Sequence, residues 1–105
     1  MNQPLFQLGD IAITPGASLA LAVEDAKHPI LGTRERPRST LGTILGRHVR
    51  GECDEQDEQD RQTKIIAIML RDRIQSVYNL SDGTRIWIIT ESDRSVTTIL
   101  LPEEY

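Results

Sequence analysis

The feature that most constrains this chain is the change of period after Asp72. Ile74, Ser76, Tyr78 and Leu80 alternate onto one face of an extended segment, and Ser81-Asp82-Gly83-Thr84 follows as a turn signal. Arg85-Ile86-Trp87-Ile88-Ile89-Thr90 then runs apolar on both faces, which predicts a strand with a neighbour on each side. Glu91-Ser92-Asp93-Arg94-Ser95 is a second connection. Val96 to Leu101 is a third strand, stopped by Pro102. Short strands in direct succession, joined by tight turns, predict an antiparallel meander. Asp82-Gly83 suits a type I′ turn at its first corner.

A meander with an apolar face needs a cover, and the preceding residues supply it. Leu8 to Thr14 reads as a short added strand. Thr14-Pro15-Gly16 then reads as a helix start, because threonine caps free amides and proline at the first helical position loses no needed bond. Leu19, Ala22, Val23 and Ala26 follow at helical spacing until His28-Pro29. Residues 28–40, rich in proline and charge, read as an exposed loop insertion. Ser39-Thr40 begins a second helix through Leu41, Ile44, Leu45 and His48, ended near Gly51. A third helix starts at Asp54 or a neighbour, its apolar half (Ile65, Ile66, Ile68, Met69, Leu70) expected in the core. The predicted architecture is α+β: a three-stranded antiparallel meander, with room for an N-terminal strand, packed against about three helices.

At 105 residues this is one domain, 1–105. With 38% hydrophobic and 27% charged residues it is neither disordered nor a membrane protein, and no apolar run nears the roughly 18 residues of a span. Met1-Asn2-Gln3-Pro4 lacks the basic start and apolar stretch of a leader, and Cys53 is the single cysteine, so a cytoplasmic location is expected. The net charge of -4 argues against direct nucleic-acid binding. Its source is one block: Glu52, Asp54, Glu55, Asp57, Glu58 and Asp60, with no base among them.

This block lacks the glycine and ligand spacing of a Ca²⁺ loop. It reads either as a solvated helix start, favoured by the helix dipole, or as a docking surface for a basic partner. His48 and Cys53 suggest zinc or a Cys–His nucleophile. Zinc wants more soft or imidazole donors than this chain offers, and the acids around Cys53 disfavour a thiolate. Asp93 and Arg94 make either a catalytic or anion-binding corner or a structural turn. No base pairs with a serine there, so the turn is preferred. Trp87 is a core anchor or an interface residue. Arg34, Arg36 and Arg38 form a basic patch without aromatic neighbours, which disfavours base stacking. A helix-turn-helix would enter a groove acidic end first.

The segment Ile86-Trp87-Ile88-Ile89-Thr90-Glu91-Ser92-Asp93-Arg94-Ser95-Val96-Thr97-Thr98-Ile99-Leu100-Leu101-Pro102-Glu103-Glu104-Tyr105 resembles the end of a family of small "plasmid-related" bacterial proteins carried by plasmids, integrative elements and phages. Leu5 to Ile11, Thr14 to Ala17, Gly46-Arg47-His48 and Gly51-Glu52 resemble its opening and centre. Cys53 and Asp54 depart from the aromatic residue and glycine common there, and Lys64 lies near a usual asparagine. The resemblance implies a mobile-element setting and no activity.

Together these readings lead to an expectation of a non-enzymatic protein-binding accessory factor without cofactor, metal or catalytic residues. It is expected to act as an inhibitor of anti-CRISPR or anti-restriction type. Its acidic helix, bearing the six carboxylates from Glu52 to Asp60, would occlude a basic nucleic-acid-binding groove of a host defence complex. The alternative is a homodimeric regulatory domain of a plasmid or phage, meeting its partner at a sheet edge or around Trp87, Asp93 and Arg94. No membrane is implied in either.

Overall fold

The computed structural model describes residues 3–28, 30, 31 and 37–105. Element order is β1 (Asp10–Ile13), α1 (Pro15–Lys27), β2 (Ile30–Leu31), β3 (Pro37–Arg38), α2 (Thr40–His48), α3 (Glu58–Met69), β4 (Ile74–Asn79), β5 (Arg85–Thr90), β6 (Val96–Leu100) and a 3-10 turn at Pro102–Glu104. The fold is α+β. β4, β5 and β6 form the meander, and β1 joins β6 in parallel, giving the order β1-β6-β5-β4. β5 is interior, as its two apolar faces require.

The helix starts follow local chemistry. Thr14 Oγ1 accepts from the Ala17 amide and Ser39 Oγ from the Gly42 amide, with Pro15 opening α1. Gly51 turns the chain after α2 at φ +74°. The N-terminal strand is shorter than its apolar pattern. Gly9 takes φ +67°, and a Cβ there would stand 2.4 Å from the carbonyl oxygens of Arg94 and Ser95. Within 28–40, β2 and β3 form a two-stranded antiparallel pair. Arg34 and Arg36 of the expected basic patch lie outside the described residues.

Strand register assigns the faces. Ile74, Ser76 and Tyr78 stand beside Thr90, Ile88 and Ile86, and these beside Thr97 and Ile99. This face meets Ala17 and Leu21 of α1 and Ile44 of α2, forming the core. The opposite face carries Val77, Trp87, Ile89 and Leu100. Tyr105 lies edge-on to Trp87 with ring centroids 5.6 Å apart, so the C-terminal segment lies against this layer. Glu104 holds that segment: its carboxylate accepts from Gly16 N (3.0 Å), Leu101 N (2.9 Å) and Thr14 Oγ1 at the start of α1. These donors, the Thr14 hydroxyl foremost, lower its pKa.

Both meander corners differ from a type I′ turn. Gly83 is left-handed (φ +89°) whereas Asp82 is not, and Gly83 N donates to Leu80 O. This is a three-residue loop with glycine at the bulge. The β5–β6 corner is one residue longer, Glu91 N donating to Val96 O, but repeats the turn: Arg94 N donates to Glu91 O, and Asp93 Oδ1 accepts from Ser95 N as Asp82 Oδ1 does from Thr84 N. There Arg94, at φ +60°, occupies the glycine's place.

Candidate protein-docking surface

The acidic block is not one helix. Glu52 to Asp57 form a loop, and only Glu58 onward is helical, with Asp57 as the cap. Asp57 Oδ1 accepts from the Asp60 amide at 2.8 Å, and Asp60 reaches back to the Asp57 amide. Asp54 explains why the helix starts late. Its amide donates to Val77 O, its Oδ2 accepts from the Asn79 amide and its Oδ1 from Arg47 Nη2. One residue therefore covers the outer edge of β4, a position where open backbone groups invite pairing with another chain. Next to it Glu55, at φ +62°, pairs with Arg85 at 3.1 Å, and Glu52 pairs with Arg50 at 3.5 Å.

The six acids thus separate into two sets. Glu52, Asp54 and Glu55 are neutralised by arginines of the same chain. Asp57, Glu58 and Asp60 are exposed at the start of α3 with no basic partner among the described residues. Asp57 and Asp60 each commit one carboxylate oxygen to the capping box and Glu58 accepts from Gln62 Nε2, so the three keep their charge at the surface without a basic partner among the described residues.

The apolar half of α3 also departs from expectation. Only Ile68 is buried, while Ile66 is 56% exposed, Met69 75% and Leu70 69%. The reason is helical geometry. Ile68 shares the inward face with Arg61, Lys64 and Ile65, whereas Glu58, Gln62, Ile66 and Met69 follow one another along the outward face. That outward stripe runs from carboxylate to apolar. Beyond its C-terminal end lies a cleft of about 440 Å³ lined by Leu5, Phe6, Gln7, Ile68, Arg71, Asp93 and Arg94.

Asp93 and Arg94 both bond to their own chain. Asp93 Oδ1 accepts from the Ser95 hydroxyl and amide, which lowers its pKa. Arg94 is buried and donates to the carbonyls of Asp72 (2.7 Å), Glu91 (3.2 Å) and Ile68 (3.3 Å), so it caps the end of α3. Its guanidinium also stands over the Phe6 ring. Trp87, half-buried on an interior strand, has no free backbone edge to offer a partner.

His48 and Cys53 do not touch. They belong to one polar chain that sequence inspection missed, Cys53 at one end and His48 in its middle. Cys53 Sγ lies 3.0 Å from Lys64 Nζ, which also donates to Ser76 Oγ at 3.2 Å. Ser76 Oγ is 2.7 Å from His48 Nδ1, His48 Nε2 is 2.8 Å from Thr90 Oγ1, and Thr90 Oγ1 is 2.7 Å from Thr97 Oγ1. Thr97 then donates to Leu8 O. The Leu8 carbonyl fixes the protons on one side: Thr97 donates to it and so accepts from Thr90, which accepts from His48 Nε2–H. Burial beside two cations disfavours a second ring proton, so His48 is the neutral Nε2–H tautomer and Nδ1 accepts from the Ser76 hydroxyl. Burial, then Lys64 and Arg94, hold its pKa down to about 3. The available signal was three polar side chains on the helix-facing side of the strands, each needing a partner.

Among the described residues no group of three or more His, Cys, Asp or Glu side chains is placed to hold a metal ion, and no helix is long and apolar enough to cross a membrane. Comparison with family models, curated proteins and solved structures finds no match.

Proposed function

We propose that this chain is a non-enzymatic protein-binding factor of a mobile genetic element that docks through the outward face of α3. The observation that supports this reading is the stripe itself. Exposed Glu58 leads through Gln62 to the exposed apolar side chains Ile66 and Met69 on one face of α3, with Asp57 and Asp60 adding negative charge at its start and Leu70 exposed at its C-cap. An apolar centre with a charged border is the anatomy of a protein interface. The carboxylates select a basic partner, and a nucleic-acid-binding groove of a host defence complex is the target class that fits, occlusion being the inhibitory mechanism. Glu52, Asp54 and Glu55 leave the docking set and serve to hold the loop.

The test is affinity capture from a host cell with two baits, the native chain and Ile66→Glu/Met69→Glu. Both substituted positions are exposed, so the variant should keep its fold. A basic partner recovered by the native chain and lost by the variant supports the proposal. Equal recovery by both excludes this face.

A second reading rests on a different observation. All four residues of β1 are exposed, and β1 is the sheet edge that Asp54 does not cover. A homodimeric accessory domain would pair β1 with its copy. Sedimentation at micromolar concentration, with Ile13→Lys as the comparison, distinguishes a dimer at this edge from a monomer.

A further inference from the structure

Lys64 is a half-buried ammonium with no carboxylate in ion-pair range among the described residues; its hydrogen-bond acceptors are the Cys53 sulfur and the Ser76 hydroxyl. The thiol is also half-buried, so a small oxidant reaches it while a bulky thiol is hindered. Its own hydrogen bond goes to Gln56 Oε1 at 3.3 Å, which leaves the amine as its nucleophilic neighbour. From this juxtaposition of thiol and amine we infer that Cys53 and Lys64 are an oxidation-sensitive modification site, at which a peroxide converts the contact into a covalent sulfur–nitrogen crosslink.

The chemistry closes on these two side chains and one peroxide. The Cys53 sulfur takes one peroxide oxygen as the O–O bond breaks, giving sulfenic acid and water. That sulfur is then electrophilic, and sulfenic acids condense with nearby nitrogen to give sulfenamides. Lys64 releases a proton to solvent, its lone pair forms the S–N bond, and the S–OH bond breaks. The departing hydroxide leaves as water by taking a proton from the new linkage. Thiol, ammonium and peroxide have become sulfenamide, two waters and a proton, with sulfur oxidised and peroxide reduced. A thiol reductant reverses the step by attacking sulfur and releasing the amine.

The linkage has a definite place in the fold. It ties the loop that carries Asp54 along β4 to the middle of α3, and it removes the positive charge next to Ser76. Oxidation therefore fastens the covered β4 edge to the helix that bears the exposed stripe. The inference stands independently of the proposed docking role.

Peptide mapping of the full chain after treatment with hydrogen peroxide and thiol blocking tests it. The expected product joins the Cys53 and Lys64 peptides with the loss of two hydrogens overall, and dithiothreitol returns the separate peptides. In Lys64→Arg, which keeps the charge but lacks a nucleophilic amine, the crosslink should vanish and dimedone should trap the sulfenic acid instead. If native Cys53 yields the dimedone adduct or a disulfide-linked pair of chains, with no joined peptide, the inference is wrong. A joined peptide that retains the oxygen also overturns the displacement step. The native map decides the matter even if the arginine variant folds poorly.

Discussion

Acid should weaken this fold through His48, and the size of the effect follows from the polar chain. The neutral ring accepts at Nδ1 from Ser76 and donates at Nε2 to Thr90. A proton on Nδ1 would oppose the Ser76 hydroxyl and add a charge to a site already facing Lys64 and Arg94. The folded pKa is depressed to about 3, against about 6.5 for an unfolded histidine. The unfolded state therefore binds the proton first. The associated stability is complete above pH 6.5 and is lost as pH falls towards 3. One pH unit in this window is worth about 1.4 kcal/mol, so pH 4.5 removes roughly 2.5 to 3 kcal/mol relative to neutral pH. His48→Gln offers an acceptor and a donor without titrating. Urea unfolding of both proteins at pH 7 and pH 4.5 isolates the histidine, because their carboxylates titrate alike. The native advantage at pH 7 should shrink by about that amount at pH 4.5. An advantage independent of pH would refute the neutral, donor-ordered chain.

Three further outcomes follow from the geometry. Gly9→Ala adds a Cβ 2.4 Å from two backbone oxygens at a left-handed position and should lower stability by several kcal/mol, about the upper end for single substitutions, as read by denaturant midpoint. Arg94→Gly relieves a left-handed arginine but leaves the carbonyls of Ile68, Asp72 and Glu91 without their donor. The loss should exceed the relief by about 1 to 3 kcal/mol, whereas a stability gain in thermal unfolding would mean that the cap is dispensable. Asp54→Ala removes the Arg47 ion pair and uncovers the Asn79 amide on β4; light scattering should report faster aggregation than for Glu58→Ala, which touches no strand.

Local chemistry made most of the scaffold legible. Thr14-Pro15 and Ser39 carry their helix starts in their own side chains, and the doubly apolar Arg85–Thr90 could satisfy both faces only as an interior strand. What stayed hidden depends on distant partners. Any of several acids could cap α3, and the choice of Asp57 follows from Asp54 being held on β4, more than twenty positions later. The outward direction of Ile66, Met69 and Leu70 was equally concealed, because hydrophobicity alone assigns them inward and only the burial of Ile68 shows the rotation. For the polar chain, the strand period put Ser76 on the inward face. Thr90 and Thr97 became its neighbours only once register was set.

The docking face of α3 is tested most directly by the binding kinetics of the captured partner with the native chain, Glu58→Lys and Ile66→Glu/Met69→Glu. Exposed carboxylates act on encounter, so raising salt to about 0.5 M should slow native association about tenfold, and Glu58→Lys should flatten that dependence. The apolar pair sets dissociation, and its double replacement should weaken affinity by about a hundredfold or more while leaving thermal unfolding unchanged. A partner that binds all three proteins alike, at a rate indifferent to salt, would contradict the account.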